Sequence, residues 1–326
     1  MYQIKLANGK TFTSKDNETI FQAAQKEKIY LNHSCLNARC SSCKVKITSG
    51  NYVILQEESV LTKEEREQDF VLSCNTLAKS DLELDVEDLG DLEIYEKRTI
   101  PCKINMITRL NENVVKLELR LPPNQSFKFH PGQYVNLIKG TTKRSYSIAN
   151  NTKEDGSLDF FIKNYQGGVM SRYFFEEANE NDLLRLEGPL GTFFLRDTEK
   201  PLLFLATGTG IAPIKAIIEQ IIASNLYKNR KITVLWGGRN EEDFFWGLDF
   251  SNEHIKLIKT LSRPTINWNG ATGYVQNVAM EVIKDIENYQ VYACGSNNMI
   301  NDANKVFIKN GLPENQFFSD AFVITK

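Results

Sequence analysis

Four cysteines have a spacing that can hold an iron–sulfur cluster. Cys35, Cys40 and Cys43 are separated by four and then two residues, and Cys74 follows after 30 more. Three thiolates from one tight loop and a fourth from a distant segment can hold a [2Fe–2S] cluster. Structural zinc or unlinked buried thiols are the alternatives, but this spacing favours the cluster. We therefore predict that the chain transfers single electrons.

Two further segments carry groups suited to a phosphate and to a flat ring. Arg144-Ser145-Tyr146-Ser147 combines a guanidinium, which can bind a phosphate bidentately, with an aromatic side chain. Gly168-Val169-Met170-Ser171 combines a glycine with a serine hydroxyl three residues later. Either segment alone could be ordinary structure, so the interpretation depends on their occurring together.

A glycine-rich turn follows the apolar run Leu202–Ala206. It reads Thr207-Gly208-Thr209-Gly210-Ile211-Ala212-Pro213, and its glycines let the backbone approach a pyrophosphate at the start of the next helix. The turn lacks the six-position Rossmann pattern, and a bare strand–turn–helix is the alternative. Cys294-Gly295 ends a later strand, where a buried cysteine more often only packs in the core.

The elements that must position these residues fall into three groups. Over residues 1–90, a turn pair at Asn8-Gly9 and capping boxes at Thr19-x-x-Gln22 and Thr62-x-x-Glu65 predict a β-grasp domain. Residues 91–99 read as a charged linker. Short strands punctuated by glycine and proline then predict an antiparallel β-barrel over residues 100–197. Continuous apolar strands between helical stretches predict an open parallel α/β sheet over residues 198–326. The predicted fold class is therefore multidomain, α+β and α/β.

Composition and charge limit the classes of partner. The 326 residues, 41% hydrophobic and 25% charged, suffice for two or three domains. The net charge of -2 and the absence of a long apolar run predict no nucleic-acid and no membrane partner. The acidic stretch Asp81–Glu96 reads as a half-buried strand at a soluble edge rather than a docking patch. Without a signal-peptide layout, six cysteines favour the cytoplasm over a disulfide scaffold.

These motifs resemble two known families, and the resemblance covers essentially the whole chain. The cysteine loop is similar to plant-type [2Fe–2S] ferredoxins, although Ala38 stands where that family usually has glycine, which predicts local strain. The segments at Arg144–Ser147, Gly168–Ser171, Thr207–Pro213 and Cys294-Gly295 resemble the ferredoxin–NADP reductase superfamily. That resemblance implies FAD and a nicotinamide nucleotide as further cofactors.

The resemblance also implies a role for individual residues. Arg144 would pair with the flavin pyrophosphate, Tyr146 would pack on the isoalloxazine, and Ser147 would lie by its N5 edge. Cys294 would line the nicotinamide near C4. Phe322 would shield the flavin face, although a last strand packing in the core competes with that interpretation. The predicted catalytic residues are Ser147, Cys294 and Phe322, and the predicted cofactor-binding residues are Arg144, Ser145, Tyr146, Ser147, Gly168, Val169, Met170, Ser171, Thr207, Gly208, Thr209, Gly210, Pro213, Arg239, Cys294, Gly295 and Phe322.

Two arginines bear on the choice of nicotinamide nucleotide. The position of Arg239 often meets the adenosine half of the cofactor in the superfamily, although a surface arginine explains it nearly as well. Ser262-Arg263 could recognise a 2′-phosphate, which would favour NADPH. Reductases that carry their own ferredoxin domain mostly resemble NADH users, so NADH is predicted and NADPH is the alternative.

Within this architecture, four segments most resemble the CDP-6-deoxy-Δ3,4-glucoseen reductases: Arg144–Asn150, Glu187–Phe194, Val291–Ser296 and Ser319–Phe322. The resemblance implies an oxidoreductase that passes electrons from NADH to FAD, to the [2Fe–2S] cluster and then to a partner. The implied partner is a pyridoxamine-phosphate-dependent CDP-4-keto-6-deoxyglucose 3-dehydrase of 3,6-dideoxysugar synthesis, as found in O-antigen. The alternatives are the reductase component of an aromatic or alkane oxygenase, and a cofactor-free binding or scaffold protein.

Overall fold

Residues 1–90, 92–228, 230–247 and 254–322 are described by a computed structural model of the chain. They divide into a first unit up to residue 94 and a second unit over residues 95–322. The division lies inside the predicted linker, residues 91–99, while the predicted domain bounds themselves stay predictions. No helix among the described residues has the length and apolar character needed to cross a membrane.

The first unit is a five-stranded sheet with one main helix. The strand order is β2-β1-β7-β3-β5, and β4 and β6 form a separate pair. Both predicted capping boxes are formed and begin the two helices. Strand β7, which contains part of the acidic stretch, is the central strand of this sheet and not an edge strand as predicted. Its acidic side chains lie on the exposed face of the sheet, and its leucines are buried. The elements are β1 (Tyr2–Leu6), β2 (Thr11–Ser14), α1 (Ile20–Lys26), β3 (Lys44–Ser49), β4 (Tyr52–Ile54), α2 (Lys63–Glu67), β5 (Phe70–Leu72), a 3-10 turn (Ser73–Asn75), β6 (Thr76–Ala78) and β7 (Leu82–Asp85).

The second unit begins with a six-stranded antiparallel sheet that curls toward a barrel. The strand order is β11-β10-β13-β8-β9-β12. The Ala149 N–H donates to the Asp159 carbonyl oxygen at 2.8 Å, which joins the ends of the two outermost strands. The elements are β8 (Arg98–Arg109), β9 (Val114–Arg120), β10 (Tyr134–Lys139), β11 (Thr142–Ser147), β12 (Leu158–Lys163), α3 (Val169–Arg172), a π-helical turn (Tyr173–Glu177) and β13 (Leu183–Leu190).

A parallel sheet with helices completes the second unit. The strand order is β17-β16-β15-β14-β18-β19, and every pair is parallel. The carboxyl ends of β14, β15 and β18 therefore meet at one edge, where open α/β sheets bind ligands. The elements are β14 (Leu202–Thr207), α4 (Ile211–Ala223), β15 (Ile232–Gly238), β16 (Ile255–Leu261), β17 (Ala271–Thr272), α5 (Val275–Val282), β18 (Gln290–Gly295), α6 (Asn297–Lys309) and β19 (Phe317–Ala321), with 3-10 turns at Gly208–Gly210, Glu241–Asp243, Ile286–Asn288 and Glu314–Gln316.

One hydrophobic cluster runs from the barrel into the parallel sheet. It contains Val114, Ala149 and Phe161 from the barrel region together with Phe204 and Trp236 from the sheet, all of them buried. Burying an aromatic or branched aliphatic side chain contributes about 1.5–3 kcal/mol, so this shared cluster ties the two sheets of the second unit together.

Candidate functional site

The four predicted cluster ligands meet as two pairs. The Sγ atoms of Cys43 and Cys74 are 3.3 Å apart, and the Cys40 thiol hydrogen-bonds to Cys35. Among the described residues, no group of three or more His, Cys, Asp or Glu side chains is arranged to hold a metal ion. A structural zinc site needs four ligands around one metal ion. In a [2Fe–2S] cluster, by contrast, each of the two irons is bound by two cysteine thiolates of the protein. The paired arrangement therefore fits the cluster.

Hydrogen bonds favour the thiolate, which is the form that binds iron, at Cys35 and Cys74. The hydrogen bonds to these two partners, together with burial, raise the pKa values of Cys40 and Cys43. The hydrogen bond from Cys40, with others from the loop backbone, lowers the pKa of the Cys35 thiol to about 6. The Cys43 thiol and the Ala38 N–H lower the pKa of Cys74. Cys40 and Cys43 are buried, whereas Cys35 and Cys74 are only partly so, which makes the second two the solvent-facing side of the site.

Ala38 has a left-handed backbone conformation, which is strained for a residue other than glycine. The sequence predicts this strain, because alanine stands here where plant-type ferredoxins usually have glycine. Its φ is +57°, and its side chain is buried. A residue with a Cβ pays about 1–2 kcal/mol for this conformation. We expect Ala38→Gly to raise the free energy of unfolding by about 1 kcal/mol, measured by thermal unfolding of the cluster-loaded protein. Ala78→Gly, in the buried strand β6, is the matched control and should destabilise; an equal loss for both variants would contradict the strain.

Strand β11 presents Arg144 and Tyr146 on the same face, because side chains two residues apart on a strand share a face. Within the part of the chain that the structure describes, the Arg144 Nη1 donates to a neighbouring backbone carbonyl oxygen, that of Lys143, at 2.8 Å. Tyr146 packs edge-on against Phe174 with ring centroids 6.1 Å apart, and burial raises the pKa of its hydroxyl. A guanidinium and an aromatic face along one strand suit a molecule that joins a phosphate to a flat ring.

Ser145 and Ser147 are the other predicted cofactor-binding residues of β11. The Ser145 hydroxyl donates to the Asn136 side-chain oxygen at 2.7 Å, which holds β11 against β10. Ser147 ends the strand and is buried. Its predicted place beside flavin N5 stays a prediction.

Helix α3 begins with a close contact between Gly168 and the Ser171 hydroxyl. A Cβ on Gly168 would lie 2.3 Å from the Ser171 Oγ, and the Ser171 hydroxyl donates to the Tyr165 and Gly168 carbonyl oxygens. Met170 is buried in the barrel core and anchors the turn, whereas Val169 is exposed. A cavity of about 400 Å³ opens here, lined in part by Gly168, Val169 and Tyr165, and its size suits part of a dinucleotide.

Arg144 provides a test of the flavin site. We expect Arg144→Met to weaken FAD binding about 10–100-fold, since a hydrogen bond to a charged group contributes about 1.5–3 kcal/mol. The dissociation constant can be measured by titrating FAD into flavin-free protein and following flavin fluorescence. Arg185→Met, on the exposed face of β13, is the control that should bind FAD normally. An unchanged dissociation constant for the Arg144 variant would rule out the phosphate contact.

The glycine-rich turn and the end of β18 are in direct contact. A Cβ on Gly210 would lie 2.3 Å from the Cys294 carbonyl oxygen. Gly295 has a φ of +148°, and a Cβ there would lie 2.2 Å from the Thr207 Oγ1. The Phe322 N–H donates to the Gly295 carbonyl oxygen at 2.8 Å. The structure thus gathers residues that are more than 80 positions apart in the chain, as the motif order predicts.

Other residues of the turn act in packing. Thr209 and Pro213 are buried, and the Gly208 carbonyl oxygen accepts from the Trp236 Nε1 at 3.0 Å. Cys294 is fully buried in the hydrophobic cluster, and burial raises the pKa of its thiol, with the nearby Asp320 carboxylate adding to the effect. Cys294 lies inside the core and Phe322 packs partly buried against the same cluster, so the predicted contacts of both residues with the cofactors stay predictions.

Arg239 and Ser262 lie together at the ends of β15 and β16. The Ser262 hydroxyl donates to the Gly238 carbonyl oxygen at 3.3 Å, and the Arg239 N–H donates to the Asp243 carboxylate at 2.6 Å. The turn after Arg239 carries three consecutive acidic residues, 241–243. Two of these carboxylates already accept hydrogen bonds, Asp243 from backbone N–H groups and Glu241 from the Thr265 hydroxyl, so the choice of NADH over NADPH stays a prediction.

Comparisons with known proteins agree with this arrangement along the whole chain. Three family models match in order: the 2Fe-2S iron-sulfur cluster binding domain over residues 5–79, the oxidoreductase FAD-binding domain over 101–195 and the oxidoreductase NAD-binding domain over 204–305. The chain is 39% identical over 325 residues to the CDP-6-deoxy-L-threo-D-glycero-4-hexulose-3-dehydrase reductase of Yersinia pestis, across 98% of this chain and 97% of that protein. The chain belongs to this family of iron–sulfur flavoprotein reductases.

More distant matches show the same architecture. The reductase is 28% identical over 323 residues to the toluate 1,2-dioxygenase electron transfer component of Pseudomonas putida, across 94% of this chain and 92% of that one. The crystal structure of an Amycolatopsis cytochrome P450 reductase covers 99% of both chains with a TM-score of 0.71 at 21% identity, which shows the fold. The predicted fold class, oxidoreductase activity and three cofactors are confirmed.

Sequence reasoning missed three polar residues of the reductase that lie beside the predicted sites. Lys215 and Glu219 of α4 contact the backbone just after β11. Asp320 is buried and pairs in register with Cys294. The spacing of Lys215 and Glu219 by four residues predicts a helical ion pair, but nothing local indicates which distant segment the pair holds.

Proposed function

We propose that the reductase delivers electrons from NADH to a pyridoxamine-phosphate-dependent CDP-4-keto-6-deoxyglucose 3-dehydrase of 3,6-dideoxysugar synthesis. The observation that carries this proposal is the difference in similarity: 39% identity to the hexulose-3-dehydrase reductase against 28% to the toluate dioxygenase component. Both matches extend over nearly the full chain, so the difference is not one of domain content. The cofactor-binding domains leave the scaffold alternative without support.

Different residues of the chain would hold each of the three cofactors. When bound, the nicotinamide nucleotide supplies a hydride, the flavin accepts the electron pair and releases it singly, and the cluster carries single electrons. The turn Thr207–Gly210 and Cys294-Gly295 would hold and orient the nucleotide, and Phe322 would shield the flavin face. Arg144 and Tyr146 hold the flavin, and Cys35, Cys40, Cys43 and Cys74 hold the cluster.

The electron acceptor is proposed to bind on the side where Cys35 and Cys74 are partly exposed. Electron transfer between proteins commonly uses small, transient interfaces, so a limited contact around the cluster loop suffices. We place the reductase in the cytoplasm, since cysteine thiolates remain reduced and available to iron there.

A reconstituted assay tests the acceptor. Purified reductase that is red-brown, with flavin and iron–sulfur absorption, is combined with the dehydrase, its nucleotide-sugar substrate and NADH. The proposal predicts NADH oxidation in step with formation of the 3-deoxygenated sugar, and no such product when either protein is omitted. The oxygenase component of an aromatic dioxygenase, offered with its substrate, serves as the competing acceptor. Product formation with the oxygenase and none with the dehydrase would overturn the proposal.

A further inference from the structure

We propose that Lys215 and Glu219 are positioning residues. They would align β11, named here the flavin strand, with the turn Thr207–Gly210, named here the nicotinamide loop. The Lys215 Nζ donates to the Ala149 carbonyl oxygen at 2.7 Å, and the Glu219 Oε2 accepts from the Asn151 N–H at 2.9 Å. These two side chains, here named the Lys215–Glu219 clamp, thus hold two peptide groups of one short segment. The inference rests on the proposed transfer of a hydride from NADH to FAD.

The clamp connects the two predicted cofactor segments by a short path. Ala149 lies two residues beyond Ser147, about 7 Å of extended chain. Lys215 lies in the first turns of α4, which begins directly after Gly210 at Ile211. At 1.5 Å of rise per residue, Lys215 is only about 6 Å along the helix axis from its start. A shift of α4 is therefore transmitted to the end of the flavin strand.

The held segment is also fixed from its other side. The Ala149 N–H donates to the Asp159 carbonyl oxygen, and the Asn150 Oδ1 accepts from the Asp159 N–H at 2.6 Å. Within the clamp, the Lys215 ammonium is paired with Glu219, and the lysine side chain is only 13% exposed. An exposed helical ion pair contributes little, so the contacts to the backbone of Ala149 and Asn151 distinguish this pair from a surface pair.

Alignment of this kind matters because hydride transfer needs close contact. Reacting atoms must approach to about 3–3.5 Å, and a misplacement of about 1 Å can cost about 100-fold in rate. Lys215→Met keeps the aliphatic stem and removes the ammonium. We expect the limiting rate of flavin reduction by NADH to fall about 10–100-fold, with a much smaller change in the NADH concentration at half-saturation.

The test is anaerobic stopped-flow reduction of the FAD-loaded, cluster-loaded protein by NADH, followed by flavin absorbance. Amide hydrogen exchange of residues 148–151 is the second readout and should quicken in Lys215→Met. Lys215→Arg, which keeps a charged donor, should restore most of the rate. Lys63→Met is the matched control, because Lys63 and Glu67 form an exposed pair with the same spacing, 3.6 Å apart. If Lys215→Met does not fold, Glu219→Gln replaces it and is expected to slow reduction at least about threefold.

Two results decide the matter. A slowed hydride step in Lys215→Met with normal FAD content, and a normal rate in Lys63→Met, supports the clamp. Quickened exchange at residues 148–151 with a wild-type rate of flavin reduction overturns it, because the segment would then be loosened without consequence. Failure of the NADH-to-FAD transfer on which the inference rests looks different, since the wild-type protein itself would not be reduced by NADH.

Discussion

Cys40→Ser is expected to abolish cytochrome c reduction by NADH while sparing reduction of the flavin. Cys40 is buried in one of the two cysteine pairs, and its loss leaves one iron with a single thiolate. Changes outside a metal's ligand shell already cost about 10–100-fold, so loss of a ligand should reduce single-electron transfer by at least about 100-fold. Flavin reduction should stay within about twofold of wild type, since that step uses only the second unit.

Steady-state cytochrome c reduction and anaerobic flavin reduction measure the two steps separately. Cys102→Ala is the matched control, because Cys102 is a buried core thiol whose pKa burial raises to about 12. That variant should keep both activities. Equal loss of both activities in Cys40→Ser would show that the cluster does not follow the flavin in the order of transfer.

Gly210→Ala is expected to disrupt the nicotinamide site. The added Cβ would lie 2.3 Å from the Cys294 carbonyl oxygen, and backbone atoms cannot rotate away as a side chain can. The turn and the end of β18 must therefore separate, at about 1–3 kcal/mol in stability. If they separate by about 1 Å, flavin reduction by NADH should fall about 100-fold.

The measurement is the rate of flavin reduction by NADH in protein that retains its FAD and cluster. Dithionite, which needs no nucleotide site, should still reduce the Gly210→Ala protein fully. Gly156→Ala serves as control, because nothing lies within 4 Å of its added Cβ. Its φ of +68° strains an alanine, whereas Gly210, with a φ of -60°, has no such strain, so the control tests backbone strain without a steric clash. A normal NADH-dependent rate in Gly210→Ala would show that this close contact has no role in the nicotinamide site.

Local signals explain what could be predicted from the sequence. The capping boxes at Thr19 and Thr62 depend on residues three apart, and both helices begin where predicted. Strand β16 runs over residues 255–261 as its apolar pattern predicts. Strand β11 ends at Ser147, although the apolar Ile148 and Ala149 could extend it, because the Ile148 N–H donates to the Gln133 carbonyl oxygen and the Ala149 N–H donates to the Asp159 carbonyl oxygen. Such departures depend on distant partners.

The parts of the site that were not predicted all involve contacts distant in sequence. The cysteine spacing indicates four ligands but not that Cys43 pairs with Cys74 across 31 positions. The dipeptide Cys294-Gly295 indicates the end of a strand, but it does not indicate that the hydrophobic cluster encloses Cys294. The Lys215–Glu219 clamp reaches 66 and 68 positions back along the chain. Periodicity and propensity report on neighbours within one turn or one strand, so they carry no information on these pairings.

The central claim is that electrons pass from the nicotinamide nucleotide to the flavin and only then to the cluster. Protein stripped of FAD but retaining its cluster tests this claim most directly, with cluster reduction followed by electron paramagnetic resonance during anaerobic addition of NADH. We expect the cluster to stay oxidised until FAD is added back, and then to become reduced. Reduction of the cluster by NADH in the flavin-free protein would contradict the claim.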